Sequence, residues 1–148
     1  MKEYFEKKGR EITDQIKANF DSKGLTATGA TKNSVVFEAT SKTLVILGAS
    51  YIANTEFGRP PAKGNDSGGK FLENLKKWIK VRGLDIKPES LQYLINKFGT
   101  RQYQKGSGNG VVSEIVNQGL IKEVEAEITK LSFSSVSSEI DNFLKKTF

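Results

Sequence analysis

Apolar residues at Phe5, Ile12, Ile16 and Phe20 recur at helical spacing and predict an amphipathic helix over Lys2–Phe20. Gly9 is a weak point inside it, and Gly24 is placed to end it. Leu25–Asn33 is rich in Thr and Gly and reads as a connector. The period then changes to two. Val35, Phe37 and Ala39 alternate with Val36 and Glu38, Thr40-Ser41-Lys42 makes a turn, and Thr43–Leu47 is a β-branched, apolar run. Two short strands follow from this pattern. The second has almost no polar face, so it should be covered on both sides by helices, by a neighbouring subunit, or by one of each.

Ala49–Phe57 predicts a short helix that Gly58-Arg59-Pro60-Pro61 stops, because proline lacks an N–H and disfavours helix in the residue before it. Residues 62–69 form a polar, glycine-rich loop expected to be mobile. Lys70–Arg82 is a helix with Phe71, Leu72, Leu75, Trp78 and Ile79 on one face and Lys76, Lys77 and Lys80 opposite; Trp78 is expected in the core. Pro88 opens a further helix with Leu91, Leu94, Ile95 and Phe98 on its apolar side, and Gly99 closes it. A second mobile loop covers 101–109. Gly110–Leu131 predicts the longest helix, on the stripe Val112, Ile115, Val116, Leu120, Val124, Ile128 and Leu131. Ser132–Ser138 reads as a break, a strand or a kink before a last helix near Glu139–Lys146. The expected fold is α+β, a single domain over 1–148: a small antiparallel β-sheet packed by an N-terminal helix and several C-terminal helices.

Composition narrows the chemistry. The chain has no cysteine and no histidine, which excludes thiolate sites, a Ser-His-Asp triad and His-based metal motifs. Asp85-Ile86-Lys87 is half of a metal-dependent nuclease signature, with Asp66 the nearest upstream acid. It sits between two helices rather than on a sheet, and a nuclease is the weaker reading. Gly106-Ser107-Gly108-Asn109-Gly110 precedes a helix, where backbone N–H groups hold anions, but it lacks the ending of a P-loop and reads as a plain loop. The expectation is a protein that is not an enzyme, with no catalytic residue, cofactor or metal. No apolar run is long enough to span a bilayer.

The net charge of +6 is concentrated in the middle third: Arg59–Lys105 carries 11 basic and 4 acidic residues, while the remainder nearly balances. Lys76, Lys77, Lys80, Arg82, Arg101 and Lys105 are the candidate contacts to DNA or an acidic partner, weighed against an ordinary solvated face. Arg59, held between a glycine and two prolines, reads either as a local partner of Glu56 or as a side chain presented for a bidentate pair across a subunit boundary.

At Tyr51-Ile52-Ala53-Asn54-Thr55-Glu56-Phe57-Gly58-Arg59-Pro60-Pro61, followed by Trp78-Ile79, Arg82-Gly83-Leu84 and Gly99-Thr100, the chain resembles the tail-completion or head–tail joining (neck) proteins of tailed bacteriophages, a group related to the minor tail protein Z of phage lambda. The match in order and spacing runs from about Val35 to Thr100; the flanking helices fit only in general pattern. Residues Lys63–Ser67 depart from the family in their polarity. The resemblance implies a virion protein, made in the cytoplasm of a bacterial host. It implies a homo-oligomeric ring around the DNA path that contacts neighbouring neck, portal-adaptor or tail proteins, with no membrane. Glu56, Phe57, Gly58, Arg59, Pro60 and Pro61 are then candidate subunit-interface residues. The alternative is a small basic DNA-binding accessory protein that uses Lys76, Lys77, Lys80 and Arg82.

Overall fold

The structure, a computed structural model, describes residues 1–62 and 69–147. In chain order the elements are α1 (Lys2–Ser22), α2 (Ala30–Asn33), β1 (Val36–Ala39), β2 (Leu44–Leu47), α3 (Ile52–Phe57), α4 (Gly69–Arg82), α5 (Pro88–Phe98), α6 (Arg101–Gln104) and α7 (Gln118–Thr147). The fold is α+β, as its periodicities require. The expected loop 62–69 falls almost wholly outside the described residues.

α1 buries Phe5, Ile12, Ile16 and Phe20 along one side. It ends in a reciprocal cap: Leu25 N donates to Phe20 O (2.9 Å) and Gly24 N to Asp21 O (3.0 Å). That cap needs φ of +63° at Gly24, a region glycine enters without steric cost. The hairpin pairs Val36 with Leu47 and Ala39 with Leu44, antiparallel. α1 lies directly on it. A Cβ at Gly9 would sit 2.5 Å from Phe37 Cδ2 and 2.8 Å from Leu44 Cδ1, so this residue is where helix and sheet touch. Ile12, Ile16, Phe20, Val35 and Val111 close the core, flanked by Leu44, Ile46, Ile52 and Leu120.

Within the chain, α1 covers only one face of the hairpin. On the other face Val36, Val45 and Leu47 stay 48%, 44% and 39% exposed. The expected double cover of β2 is therefore half supplied by the chain itself.

α4 and α5 form a helical hairpin on a narrow stem. Thr100 N donates to Arg59 O (2.9 Å), Ala62 N to Asn96 O (2.9 Å), and Arg59 N to Thr100 Oγ1 (2.9 Å). Leu75 and Ile79 are buried, but Trp78 is 38% exposed. It lies on the margin of the apolar face rather than in the core, because α5 alone covers too narrow a strip to enclose a ring that size. Leu94 and Phe98, expected on the covered side of α5, are each half exposed.

The C-terminal third differs most from expectation. Residues 101–104 form a one-turn helix capped by the Thr100 side chain. Residues 111–117 are turns, not helix, and α7 runs unbroken through the serine-rich segment.

Candidate functional site

The segment Glu56–Pro61 is clasped into the body of its own chain. Glu56 is 3% exposed, and its carboxylate accepts from Gly110 N (3.1 Å), Val112 N (2.9 Å) and Ser113 Oγ (2.6 Å). Asn109 closes the same clasp: its N donates to Glu56 O (2.8 Å) and its Nδ2 to Thr55 O (2.6 Å). Burial desolvates the carboxylate and pushes its pKa up. The hydrogen bonds from Ser113, Val112 and Gly110 outweigh that and hold it below the ordinary glutamate value. Of the Gly-Ser-Gly-Asn-Gly stretch, Gly110 alone donates to this carboxylate; Val112 and Ser113 beyond it supply the other donors. A Cβ at Gly108 would stand 2.7 Å from Glu56 Oε1, which is why a glycine-rich approach is needed there.

Gly58 follows with φ of +82° and no room for a side chain: a Cβ would meet Tyr103 N at 2.2 Å. Arg59 was expected in a hydrogen-bond-poor, projecting segment. Instead both its backbone N and O pair with Thr100, and its guanidinium stacks 3.6 Å over the Phe71 ring. The described hydrogen bonds of the Glu56 carboxylate all run to residues 110–113, so the local Glu56–Arg59 pair considered from sequence is not the partnership this carboxylate makes. Of the six candidate interface residues, Glu56 and Gly58 are internal; Phe57, Pro60 and Pro61 face outward.

The basic candidates divide. Lys77 and Lys80 are exposed on α4, and Lys76 beside them pairs loosely with Glu89 (3.7 Å). Arg82 stays exposed and donates to Gly24 O across the surface. Arg101 and Lys105 are exposed at either end of α6. Asp85 and Lys87 lie in the α4–α5 connection, and Asp66 is outside the described residues. Among the described residues no group of three or more acidic side chains is placed to hold a metal.

What sequence patterning missed is that the two C-terminal helices are one, α7. Lys8 is buried on α1 and reaches Glu123 (2.7 Å) and Glu11 (3.1 Å), while Leu120 packs on the core. α7 therefore runs antiparallel to α1, with Glu127 and Lys130 beside Tyr4 and Lys7. Its proximal apolar residues Leu120, Val124, Ile128 and Leu131 are half-buried. From 132 to 146 every residue is exposed, including Phe133, Val136, Ile140, Phe143 and Leu144. At 3.6 residues per turn these five point roughly 160° away from the proximal four. The apolar stripe changes sides without the helix breaking, and the serines are accommodated within it. No helix is long and apolar enough to cross a membrane among the described residues. Compared with protein-family models, curated proteins and solved structures, the chain matches none.

Proposed function

We propose that this chain is a structural virion protein that forms a ring at the head–tail junction of a tailed phage, joining head and tail around the DNA path. The observation that carries the reading is the distal half of α7. A helix arm of about 24 Å projects from a small body and exposes five large apolar side chains on one side. Surfaces of that kind serve to meet another protein. The resemblance adds the context. Two of the motif segments on which it rests, Glu56–Pro61 and Gly99-Thr100, lie against one another and build the stem and clasp. On this reading they shape the subunit, and Phe57, Pro60 and Pro61 are left on its surface for a neighbour.

The exposed Lys77 and Lys80 favour a second reading, a basic DNA-binding accessory protein. The two separate by experiment. Negative-stain microscopy of particles made with and without the protein should show heads and tails that fail to join in its absence. Normal joined particles without it, together with steeply salt-dependent DNA binding by the purified monomer, would favour the accessory reading.

A further inference from the structure

We infer that the corner where α5 meets α6 binds single-stranded DNA, stacking bases on Tyr93, Phe98 and Tyr103 and holding phosphates with Lys97, Arg101 and Lys105. The choice of DNA rests on the reading of this protein as one that surrounds a DNA path; the preference for a single strand rests on the surface itself. All six side chains are exposed, each ring at least 44%. On α5, Tyr93, Lys97 and Phe98 lie on the side away from the half-buried Leu91 and Ile95. Lys97 stands between the two rings, with Nζ 5.6 Å from the Tyr93 centroid and 5.2 Å from that of Phe98. α6 is folded against the end of α5. Gln104 Nε2 donates to Phe98 O and Gly99 O (3.4 Å each). The Tyr103 ring lies against Gly99, where a Cβ would stand 2.8 Å from Tyr103 Cδ1. Rings and cations from two elements are thus brought to one corner.

Charge says what kind of partner this corner fits. No acidic residue occurs between Glu89 and Glu114. Among the described residues, Lys97, Arg101 and Lys105 form no ion pair, whereas Lys76, at the other end of the α4–α5 hairpin, pairs with Glu89. Three unpaired cations interleaved with three exposed rings match a polyanion whose every unit carries one phosphate and one flat aromatic face. A base laid on Tyr93 or Phe98 brings its phosphodiester within reach of the Lys97 ammonium. A duplex keeps its base faces stacked inside and offers this corner phosphates alone, for which a lysine face such as Lys77 and Lys80 serves equally well. An acidic protein segment would match the cations and leave the rings without a flat partner.

The test is fluorescence anisotropy with the full-length chain and a labelled mixed-sequence DNA strand, against the duplex and the RNA of the same sequence. Circular dichroism confirms that each variant is folded. The parent should bind the single strand at least about tenfold more tightly than the duplex, since stacking is lost in the duplex. Tyr93→Ala and Phe98→Ala should each weaken single-strand binding about five- to a hundredfold, and Tyr93→Phe, which keeps the ring, should bind like the parent. Lys97→Gln, Arg101→Gln and Lys105→Gln should each lower the slope of log affinity against log salt by about 0.7. The double variant Lys77→Gln, Lys80→Gln should bind the single strand as the parent does. Equal affinity for the duplex, ring variants that bind like the parent, or loss of binding in the Lys77 and Lys80 variant overturns the stacking corner and leaves the head–tail junction reading standing. Tighter binding of the RNA overturns the choice of DNA. Failure of the junction reading shows separately, as heads and tails that join without the protein.

Discussion

Replacing Glu56 by Gln tests the clasp with the smallest possible change of shape. Carboxylate Oε1 accepts from Gly110 N and Ser113 Oγ, and Oε2 accepts from Val112 N. A glutamine offers one oxygen and one NH₂, so in either orientation the NH₂ meets a backbone N–H, and one buried donor goes unpaired. An orphaned buried donor costs about 1–3 kcal/mol. In a domain of this size that lowers Tm by roughly 2–4 °C per kcal/mol, hence by roughly 2–12 °C at neutral pH. The pH dependence supplies a second readout. The folded pKa of Glu56 lies below its ordinary value of 4.5, so the clasp contributes stability above that value and loses it as pH falls through the lower folded pKa. The gap between parent and Glu56→Gln should therefore be largest near neutrality and shrink on acidification below about 4.5. Thermal melts of both proteins across this range measure it. Equal melting temperatures at neutral pH, or a gap that stays constant into acid, would refute the reasoning.

Phe20 is fully buried at the junction of α1 with Val35 and Val111, so Phe20→Ala should cost about 3–5 kcal/mol in a urea titration. Gly9→Ala should destabilise even though alanine is the better helix former by about 1 kcal/mol, because its Cβ collides with Phe37 and Leu44, and overpacking of that kind costs about 1–3 kcal/mol; a more stable Gly9→Ala protein would show that α1 does not press on the sheet there. The Lys8 pKa is raised, chiefly by its hydrogen bond to Glu123, so this tether holds below the ordinary lysine value of 10.5 and is lost as pH rises through the higher folded value. Glu123→Gln should thus speed amide exchange over the proximal half of α7 by a few-fold at neutral pH, the stability change staying under about 1 kcal/mol because Glu123 is largely solvated.

Much of the body is legible in the sequence because its signals are local. The helical spacing of Phe5 to Phe20, the alternation from Val35 to Ala39, and Pro88 and Gly99 at the two ends of α5 each state a backbone preference that tertiary packing did not override. What failed depended on distant partners. Trp78 carries the same apolar signal as Leu75 and Ile79, and only the width of α5 decides that it lies at the margin. A change of apolar side at Ser132–Ser138 looks the same as a helix break when a single stripe is followed, and only the antiparallel run along α1 separates the two. The clasp was not visible. Gly106–Gly110 reads as a plain loop, because the group Gly110 binds, Glu56, lies 54 positions away, with no pattern linking them. The pairing of the Arg59 backbone with Thr100 is hidden for the same reason, since Thr100 is 41 positions distant.

The stem has a consequence for the molecule's architecture as a set of parts. Because Arg59 and Thr100 pair at its base and Ala62 and Asn96 pair just above, the α4–α5 excursion leaves the body and returns to it at one place. Chain topology there is that of an insertion: core, clasp and α7 are already joined around its two ends. The entropy of closing such a loop grows only slowly with its length. A version in which a short glycine linker bridges Arg59 and Thr100 should therefore keep the hairpin, α1 and α7 in place, apart from the Arg82 contact to Gly24. The basic, aromatic α4–α5 module is then separable from the body that carries it, and lengthening, trimming or exchanging it need not disturb the scaffold.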